Sequence, residues 1–197
     1  MDKQNIAILW YDLLLEIGEN PNRSGLLGTP LRIAEMFNEL FKSYKTKPPE
    51  ITTFENGQDK IIYDEMICDE GNFYSYCEHH VVPFFGKYYF AYIPHPEGKI
   101  LGISKVARVV DYFSAKLQIQ ERLTKEIVEY IWSKLSNNAK PPLGMALIMK
   151  GEHLCKTMRG VKKKGNMTTS VMKGVFKENR DARVEFLNLI NLKGGYK

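Results

Sequence analysis

Two short clusters of cysteine and histidine carry the most recognisable chemistry in this sequence. The first is Cys77-Glu78-His79-His80, and the second, His153-Leu154-Cys155, lies far downstream. Together they contain two of the three cysteines and three of the four histidines. Cysteine sulfur and histidine nitrogen are ligands that bind Zn²⁺ well. We therefore expect the two clusters to meet in one metal site with catalytic histidines beside it.

The spacing within the clusters separates metal ligands from catalytic groups. Cys77 and His80 are three residues apart, so a turn or a helical loop places them on the same side. His79 then points elsewhere and is free to transfer protons next to the ion. Cys155 is the candidate third ligand, and three protein ligands leave one position for water, as in catalytic zinc sites. The alternative, buried apolar cysteines with satisfied core histidines, would suit a single residue better than this density.

Length and composition limit the class of protein. The chain has 197 residues, of which 44% are hydrophobic, so we expect a globular domain with a sizeable core. No apolar run approaches membrane-spanning length, and the first residues do not resemble a signal peptide. Because two of the three cysteines are proposed as metal ligands, we do not expect a disulfide framework, and the protein would suit a reducing cytoplasm. The net charge of +5 is compatible with an anionic small substrate or with nucleic acid.

The periodicity of apolar residues divides the chain into two parts. Helical spacing followed by a proline-containing linker predicts an N-terminal helical region and linker over residues 1–58. Residues 59–197 mix strands and helices without strict alternation, which predicts a catalytic α+β domain with a mostly antiparallel sheet. Its first strand is expected from Ile61 to Ile67, and residues 193–197 are expected to form a frayed tail.

Several charged residues lie where helices are expected to begin or close to the metal ligands. Ser104 is expected to cap a helix whose exposed amides attract anions. Lys105 and Arg108 share a face of that helix and can hold phosphate oxygens, although two solvated cations would give the same pattern. Glu121 opens the next helix, either as an ordinary first-turn acid or as an acceptor for the N–H donors of guanine. Arg159 follows the Cys155 cluster and could bring a fixed positive charge to the metal.

These residues belong to four ordered motifs in which the chain resembles the zinc-dependent GTP cyclohydrolase I family. The resemblance extends from Leu26 to Leu187, and four motifs at family spacing are far more specific than one. The motifs are Ser75-x-Cys77-Glu78-His79-His80-x-x-Pro83-Phe84-x-Gly86, Gly102-x-Ser104-Lys105-x-x-Arg108, Gln118-x-Gln120-Glu121-Arg122-Leu123-Thr124 and His153-x-Cys155-x-x-x-Arg159-Gly160.

The resemblance implies a role for each motif. It implies one Zn²⁺ per subunit, bound by Cys77, His80 and Cys155. The remaining implied roles are acid–base catalysis by His79 and His153 with Ser104 beside the ribose, guanine recognition by Glu121 and Gln120, and triphosphate binding by Lys105, Arg108, Arg159 and Arg32.

The resemblance also implies a fold, an assembly and a reaction. The fold is the tunnelling fold, an antiparallel sheet with helices packed on one side, preceded by the N-terminal helical region. Five subunits share a barrel, and two rings form a homodecamer with active sites at subunit interfaces. The reaction converts GTP and water into formate and 7,8-dihydroneopterin triphosphate, the first step of pterin and folate biosynthesis. The resemblance implies neither a nucleic-acid partner nor a membrane partner.

Two positions depart from the family pattern, and two other functions compete with the one implied. Many members have a basic residue where this chain has Glu35. Many also have a basic-acidic-aliphatic run where this chain has Asp69-Glu70-Gly71. A nitrile reductase of the same fold would use a cysteine nucleophile without metal, which the two Cys/His clusters argue against. A zinc-stabilised nucleic-acid binder would need a fourth ligand and a basic face, and neither is evident.

Overall fold

The computed structural model describes residues 1–192, so the tail expected at residues 193–197 lies outside the described part of the chain. The chain forms two compact units that divide between Lys47 and Pro48. Among the described residues, none of the helices has both the length and the apolar character needed to cross a membrane.

The N-terminal unit is a pair of helices with an aromatic contact between them. Helix α1 spans Lys3–Glu16 and helix α2 spans Thr29–Leu40. The Asp2 side chain accepts a hydrogen bond from a backbone amide in the first turn of α1, which satisfies one of the free donors at that helix end. Trp10 and Phe37 pack edge to face with ring centroids 6.0 Å apart, which joins the apolar faces of the two helices.

The second unit carries the sheet and the helices that pack on it. Its elements in chain order are β1 (Thr53–Glu55), β2 (Ile67–Cys77), β3 (Pro83–Ile93), β4 (Lys99–Leu101), α3 (Ser104–Ser114), β5 (Leu117–Gln118), α4 (Gln120–Leu135), β6 (Gly144–His153), α5 (Leu154–Thr157), β7 (Asn166–Gly174), α6 (Val175–Glu178) and α7 (Arg180–Leu192).

The main sheet has five strands in the order β5-β2-β3-β6-β7. Every pairing in it is antiparallel except the short parallel contact between β2 and β5, where Cys77 lies opposite Gln118. Strand β1, within the segment expected to be a linker, pairs with β4 in a separate two-stranded sheet. The prediction of an α+β fold built on a mostly antiparallel sheet is therefore confirmed.

Alternating residues of the central strands bury both faces of the sheet. On β3, Tyr88, Phe90 and Tyr92 belong to the large core that includes the apolar residues of α3 and α4. On the opposite face, Ala91 belongs to a smaller cluster with Phe176 and with residues of α7. The expected layer of helices on one side is formed by α3 and α4. The C-terminal helices α6 and α7 pack on the other face around the smaller cluster.

Two local predictions are wrong. The strand expected from Ile61 begins only at Ile67, as β2, because Asn56 binds the backbone N–H and C=O of Tyr63 and fixes the preceding segment as a loop. The helix after β4 begins at Ser104 itself, and no side chain caps it. In the loop before β2, the apolar side chains of Ile61 and Ile62 are exposed, so the apolar pattern there did not indicate burial in a sheet.

Candidate metal centre and active site

The ends of two strands bring the cysteine and histidine clusters together. Cys77 is the last residue of β2, and Cys155 follows the last residue of β6 in the short helix α5. Both strands pair with β3, where Phe84 lies opposite Ser75 on one side and opposite His153 on the other. The ligand atoms of Cys77, His80 and Cys155 consequently lie within 4.8 Å of one another. This group can hold a metal ion.

A tight turn returns His80 to the side of Cys77. The Cys77 amide donates to the carbonyl of Val82 at 2.9 Å, and the Val81 amide donates to the carbonyl of Cys77 at 2.8 Å. Val81 has φ of 54°, a left-handed conformation that β-branched residues rarely adopt. Nδ1 of His80 and Nδ1 of His79 each lie 3.8 Å from Cys77 Sγ. Both histidines therefore flank the same sulfur.

The chemistry of the donor set fits a cation. Burial raises the pKa of the Cys155 thiol, and the adjacent Cys77 raises it further. Two neighbouring sulfurs ionise together only when a positive charge compensates them, which a bound divalent metal does. Two cysteines and one histidine leave a fourth tetrahedral position without a protein ligand from this group.

His153 is held beside this group by stacking and by one hydrogen bond. Its ring stacks on Phe84 with centroids 4.5 Å apart and an interplanar angle of 6°. Its Nε2 lies 3.0 Å from Oε1 of Gln120, which is fully buried. Nε2 of Gln120 donates to the Met149 carbonyl and to Thr169 Oγ1, so Oε1 is the free acceptor and His153 Nε2 carries the proton. The Gln120 side chain is thus engaged inside the chain.

Burial and charge set the protonation state of His153. Burial lowers its pKa, the nearby Lys156 lowers it further, and the Glu121 carboxylate acts in the opposite direction. The neutral imidazole is favoured at neutral pH because burial is the largest of the three effects. Glu121 is exposed in the first turn of α4, so its carboxylate is available on the same side as the histidine.

The start of α3 lies at the other end of β2. Ser104 lines a pocket of about 370 Å³ together with residues 69–72 of β2. The helix then runs alongside the strand, and Ser75 Oγ donates to the carbonyl of Ser114 at its far end at 2.9 Å. Cys77 follows Asn72 by five positions, which is about 16 Å along an extended strand. Within one chain, Ser104 is therefore not brought to the metal group.

Three of the four cations expected at the triphosphate belong to the second unit. Lys105 and Arg108 follow Ser104 in the first turns of α3, and Arg108 is exposed. Arg159 is exposed near the metal group, where its charge opposes the effect of burial on the pKa of Cys155. Arg32 belongs to the N-terminal unit. Of the three expected clamp residues in the second unit, the structure places Arg159 at the metal end.

The comparison with protein families decides the class of protein. Residues 6–191 match the model of the family described as GTP cyclohydrolase I. The chain belongs to the GTP cyclohydrolase I family. The match spans the N-terminal helices as well as the sheet, so both compact units are part of the family's architecture. The α+β fold described above is accordingly the tunnelling fold of GTP cyclohydrolase I.

Curated relatives agree with this assignment over nearly the whole chain. A GTP cyclohydrolase 1 from Caldanaerobacter subterraneus subsp. tengcongensis is 43% identical over 98% of this chain and 99% of its own length. One from Listeria monocytogenes is 43% identical over 96% of this chain and 97% of its own length. The bifunctional protein FolKE of Lactococcus lactis is 46% identical over 89% of this chain, which matches 49% of that longer protein.

The departure at Asp69-Glu70-Gly71 from the GTP cyclohydrolase I pattern is explained by packing. The Tyr88 hydroxyl donates to Asp69 Oδ2 at 2.9 Å, and burial and this carboxylate both raise the pKa of the tyrosine. A Cβ atom on Gly71 would lie 2.7 Å from the Tyr88 ring. Asp69 and Gly71 thus accommodate the same buried tyrosine. The other departure, Glu35, lies 3.9 Å from Lys3 on the exposed surface of the N-terminal unit.

Sequence reasoning missed two residues that lie inside the GTP cyclohydrolase I motifs. Glu78 stands between the ligand Cys77 and His79, and its Oε2 accepts a hydrogen bond from Nη2 of Arg122. Its other oxygen, Oε1, lies 3.9 Å from Nε2 of His79. The signal that could have found them is their position in the motifs, since each is adjacent to a residue with an expected role.

Proposed function

We propose that this chain is a GTP cyclohydrolase I that hydrolyses the imidazole ring of GTP, releases formate and forms 7,8-dihydroneopterin triphosphate. The observation that carries the proposal is the group formed by Cys77, His80 and Cys155 with two further histidines beside it, in a chain of this family. The proposed reaction is the first step of pterin and folate biosynthesis. We place it in the cytoplasm, where cysteine ligands stay reduced.

The proposed metal is Zn²⁺, with one ion per subunit. Two sulfurs and one imidazole suit this ion, and a fourth position stays open for chemistry. When bound, the ion lowers the pKa of a water molecule to about 7 and so supplies a nucleophile at neutral pH. Cys77, His80 and Cys155 would hold it, and both cysteine thiols would lose their protons when it binds.

The two remaining histidines divide the proton transfers. His79 protonates the imidazole nitrogen of the guanine as C8 is attacked, which lets the ring open and formate leave. His153 is neutral, and its Nε2–H is bound to Gln120, so its Nδ1 is the atom available to accept a proton. It moves protons while the ribose opens and rearranges, with Ser104 assisting at the sugar.

Recognition of the substrate uses one carboxylate and four cations. Glu121 accepts two hydrogen bonds from guanine, which also rejects adenine because adenine lacks those two donors. Gln120 was expected to share this task, but its carboxamide is occupied within the chain, so we assign it to orienting His153. The cations proposed to bind the triphosphate are Lys105, Arg108, Arg159 and Arg32.

The proposed site needs a second copy of the chain. The ribose of GTP is bonded to the same five-membered ring that carries C8, so a hydroxyl beside the ribose must lie close to the metal. In its own chain, Ser104 lies instead beside residues 69–72 of β2, and Asn72 is about 16 Å along that strand from Cys77. We infer that Ser104, Lys105 and Arg108 serve the metal group of a neighbouring subunit, in the homodecamer of two pentamers expected for the family.

The test is incubation of the metal-loaded protein with GTP while formate and the fluorescence of the oxidised pterin are measured. If the protein releases no formate, the proposed function is wrong. Substitution His79→Ala should keep the metal and lower turnover by about 10²- to 10⁴-fold, because it removes a general acid. The matched control is His95→Ala, which changes a histidine outside the metal group and should leave turnover unchanged. Normal formate release by His79→Ala would overturn the role given to His79.

A further inference from the structure

The first turn of α4 is connected to both proposed catalytic histidines. Gln120, its first residue, holds His153 through the 3.0 Å contact between Oε1 and Nε2. Arg122, two residues later, contacts the Glu78 carboxylate, whose other oxygen lies 3.9 Å from Nε2 of His79. One rigid helix end therefore reaches both sides of the metal group.

We propose that Arg122 and Glu78 form a positioning pair that orients the His79 ring for proton transfer to the substrate. The inference rests on the proposed function of the site and extends it to two residues without an assigned role. Neither residue is proposed to touch the substrate or to bind the metal. Their effect is exerted through His79.

The backbone and the side chain of Glu78 are both fixed, which suits it to this role. Its amide donates to the carbonyl of Gln118 at 3.0 Å, so its backbone is attached to β5. Its side chain is 33% exposed and is held by Arg122 through Oε2, whereas Oε1 is the oxygen nearer His79. Oε1 then has a defined position from which it can face Nε2 of His79. A carboxylate that faces an imidazole N–H fixes both the ring orientation and the tautomer.

His79 needs such a restraint because most of its ring faces solvent. Its side chain is 65% exposed, and its contacts among the described residues are with Cys77, Glu78 and the edge of His80. An exposed imidazole retains rotamer freedom unless a neighbour restricts it. Proton transfer requires the donor within hydrogen-bond reach of the substrate atom, so loss of orientation lowers the rate without changing how strongly GTP binds.

The same helix supplies a control for any general effect of losing an ion pair. Glu129 accepts from Lys173 Nζ at 2.7 Å, and its side chain is 51% exposed. This pair joins a later turn of α4 to β7 and includes none of the residues assigned to the site. Replacing Glu129 by Gln removes an ion pair from the same helix while leaving the proposed contact of Arg122 intact.

The first experiment separates orientation from binding. Glu78→Gln and Arg122→Gln should each lower kcat by about ten- to hundredfold, while KM for GTP and bound metal stay within about twofold of the parent. Arg122→Lys should recover a large part of kcat, because one guanidinium nitrogen, Nη2, makes the contact with Glu78. Glu129→Gln should behave as the parent. Parent-like kcat in both Gln variants, or loss of metal in both, would overturn the pairing.

The second experiment asks whether the pair acts through His79. Single-turnover formate release is measured for His79→Ala alone and in combination with Arg122→Gln. The second substitution should slow release further by less than about twofold, since its target is already gone. A full ten- to hundredfold additional loss would show that Arg122 acts by another route. If the double variant releases formate too slowly to measure, the kcat values of Glu78→Gln, Arg122→Gln and Arg122→Lys decide whether the pairing holds. A parent enzyme without formate release would refute the proposed function rather than this pairing.

Discussion

The two ends of β2 are built in different ways. At the metal end, Cys77, His80 and Cys155 converge, and the side chains of His153 and Glu78 beside them have partners in the same chain, Gln120 and Arg122. At the other end, α3 begins beside a pocket lined by Ser104, and Arg108 extends into solvent. We infer that one chain completes the metal half of the site, whereas the anion half becomes useful only beside another copy.

The contrast follows from what each end must bind. Metal ligands and the catalytic side chains beside them need fixed orientations, and paired strands supply these through their register. Cations for phosphate can stay hydrated until the ligand arrives, and helix starts present them at the surface. The first end is therefore ordered in the single chain, and the second can be left exposed.

The largest expected effect comes from removing a metal ligand. Cys155→Ala takes one of the two sulfurs from the group, so we expect bound metal to fall to background and turnover to fall by more than about 10³-fold. Metal analysis of the purified protein and the formate assay check both parts. The control is Cys68→Ala, an exposed cysteine outside the group. A variant that keeps its metal would break the description of the metal end.

A smaller effect is expected at the opposite end. Arg108→Ala should raise KM for GTP by about ten- to hundredfold with the metal retained, because it removes a charged contact to phosphate. Mixed assembly gives the sharper test. If the two halves of a site come from different copies, oligomers containing both Arg108→Ala and Cys155→Ala chains regain activity that neither variant has alone at low GTP concentration. Absence of recovery in verified mixed oligomers would contradict the shared site.

The packing of Tyr88 at the same end gives a prediction about stability. Gly71→Ala places a Cβ atom 2.7 Å from the Tyr88 ring, so we expect the free energy of unfolding to fall by about 1–3 kcal/mol. Chemical denaturation at a fixed protein concentration measures the change. In a Tyr88→Leu background the same substitution should cost clearly less, because the crowded ring atoms are absent. Equal costs in both backgrounds would show that Tyr88 is not the cause.

The smallest predicted effect lies in the turn between Cys77 and Val82, next to the metal ligands. Val81 has a left-handed backbone that asparagine tolerates better than valine, so Val81→Asn should raise the free energy of unfolding by about 1 kcal/mol. Metal content should not change, since the turn keeps its conformation. Val161→Asn, at an exposed valine whose φ is not positive, serves as the control and should be close to neutral. A decrease in stability for Val81→Asn would contradict the strain argument.

Residue type and spacing were enough to predict the metal group and the class of fold. Cys77, His80 and Cys155 could be named because few side chains bind metals, and the structure brings these three together. The antiparallel sheet could be expected because predicted strands and helices follow one another without strict alternation. The strand expected at Ile61 was wrong because its apolar residues are exposed and Asn56 organises them as a loop.

The internal partners of the site could not be read from the sequence. Gln120 binds Met149 and Thr169, which reach it only through the register of β6 and β7. Gly151 adjoins it on β6, where a Cβ would lie 2.6 Å from Gln120 Oε1. The contact of Arg122 with Glu78 likewise joins residues far apart in the chain. Such contacts depend on three-dimensional proximity and leave no periodic signal.

The outermost strand of the main sheet has a consequence for the isolated chain. Within the described residues, β7 pairs with β6 alone, so the other border of its nine residues has no strand beside it. Such a border offers a row of amides and carbonyls to any extended segment that approaches. A subunit outside the proposed ring would therefore tend to aggregate through this strand, and assembly of that ring would protect the protein from aggregation as well as complete the proposed site.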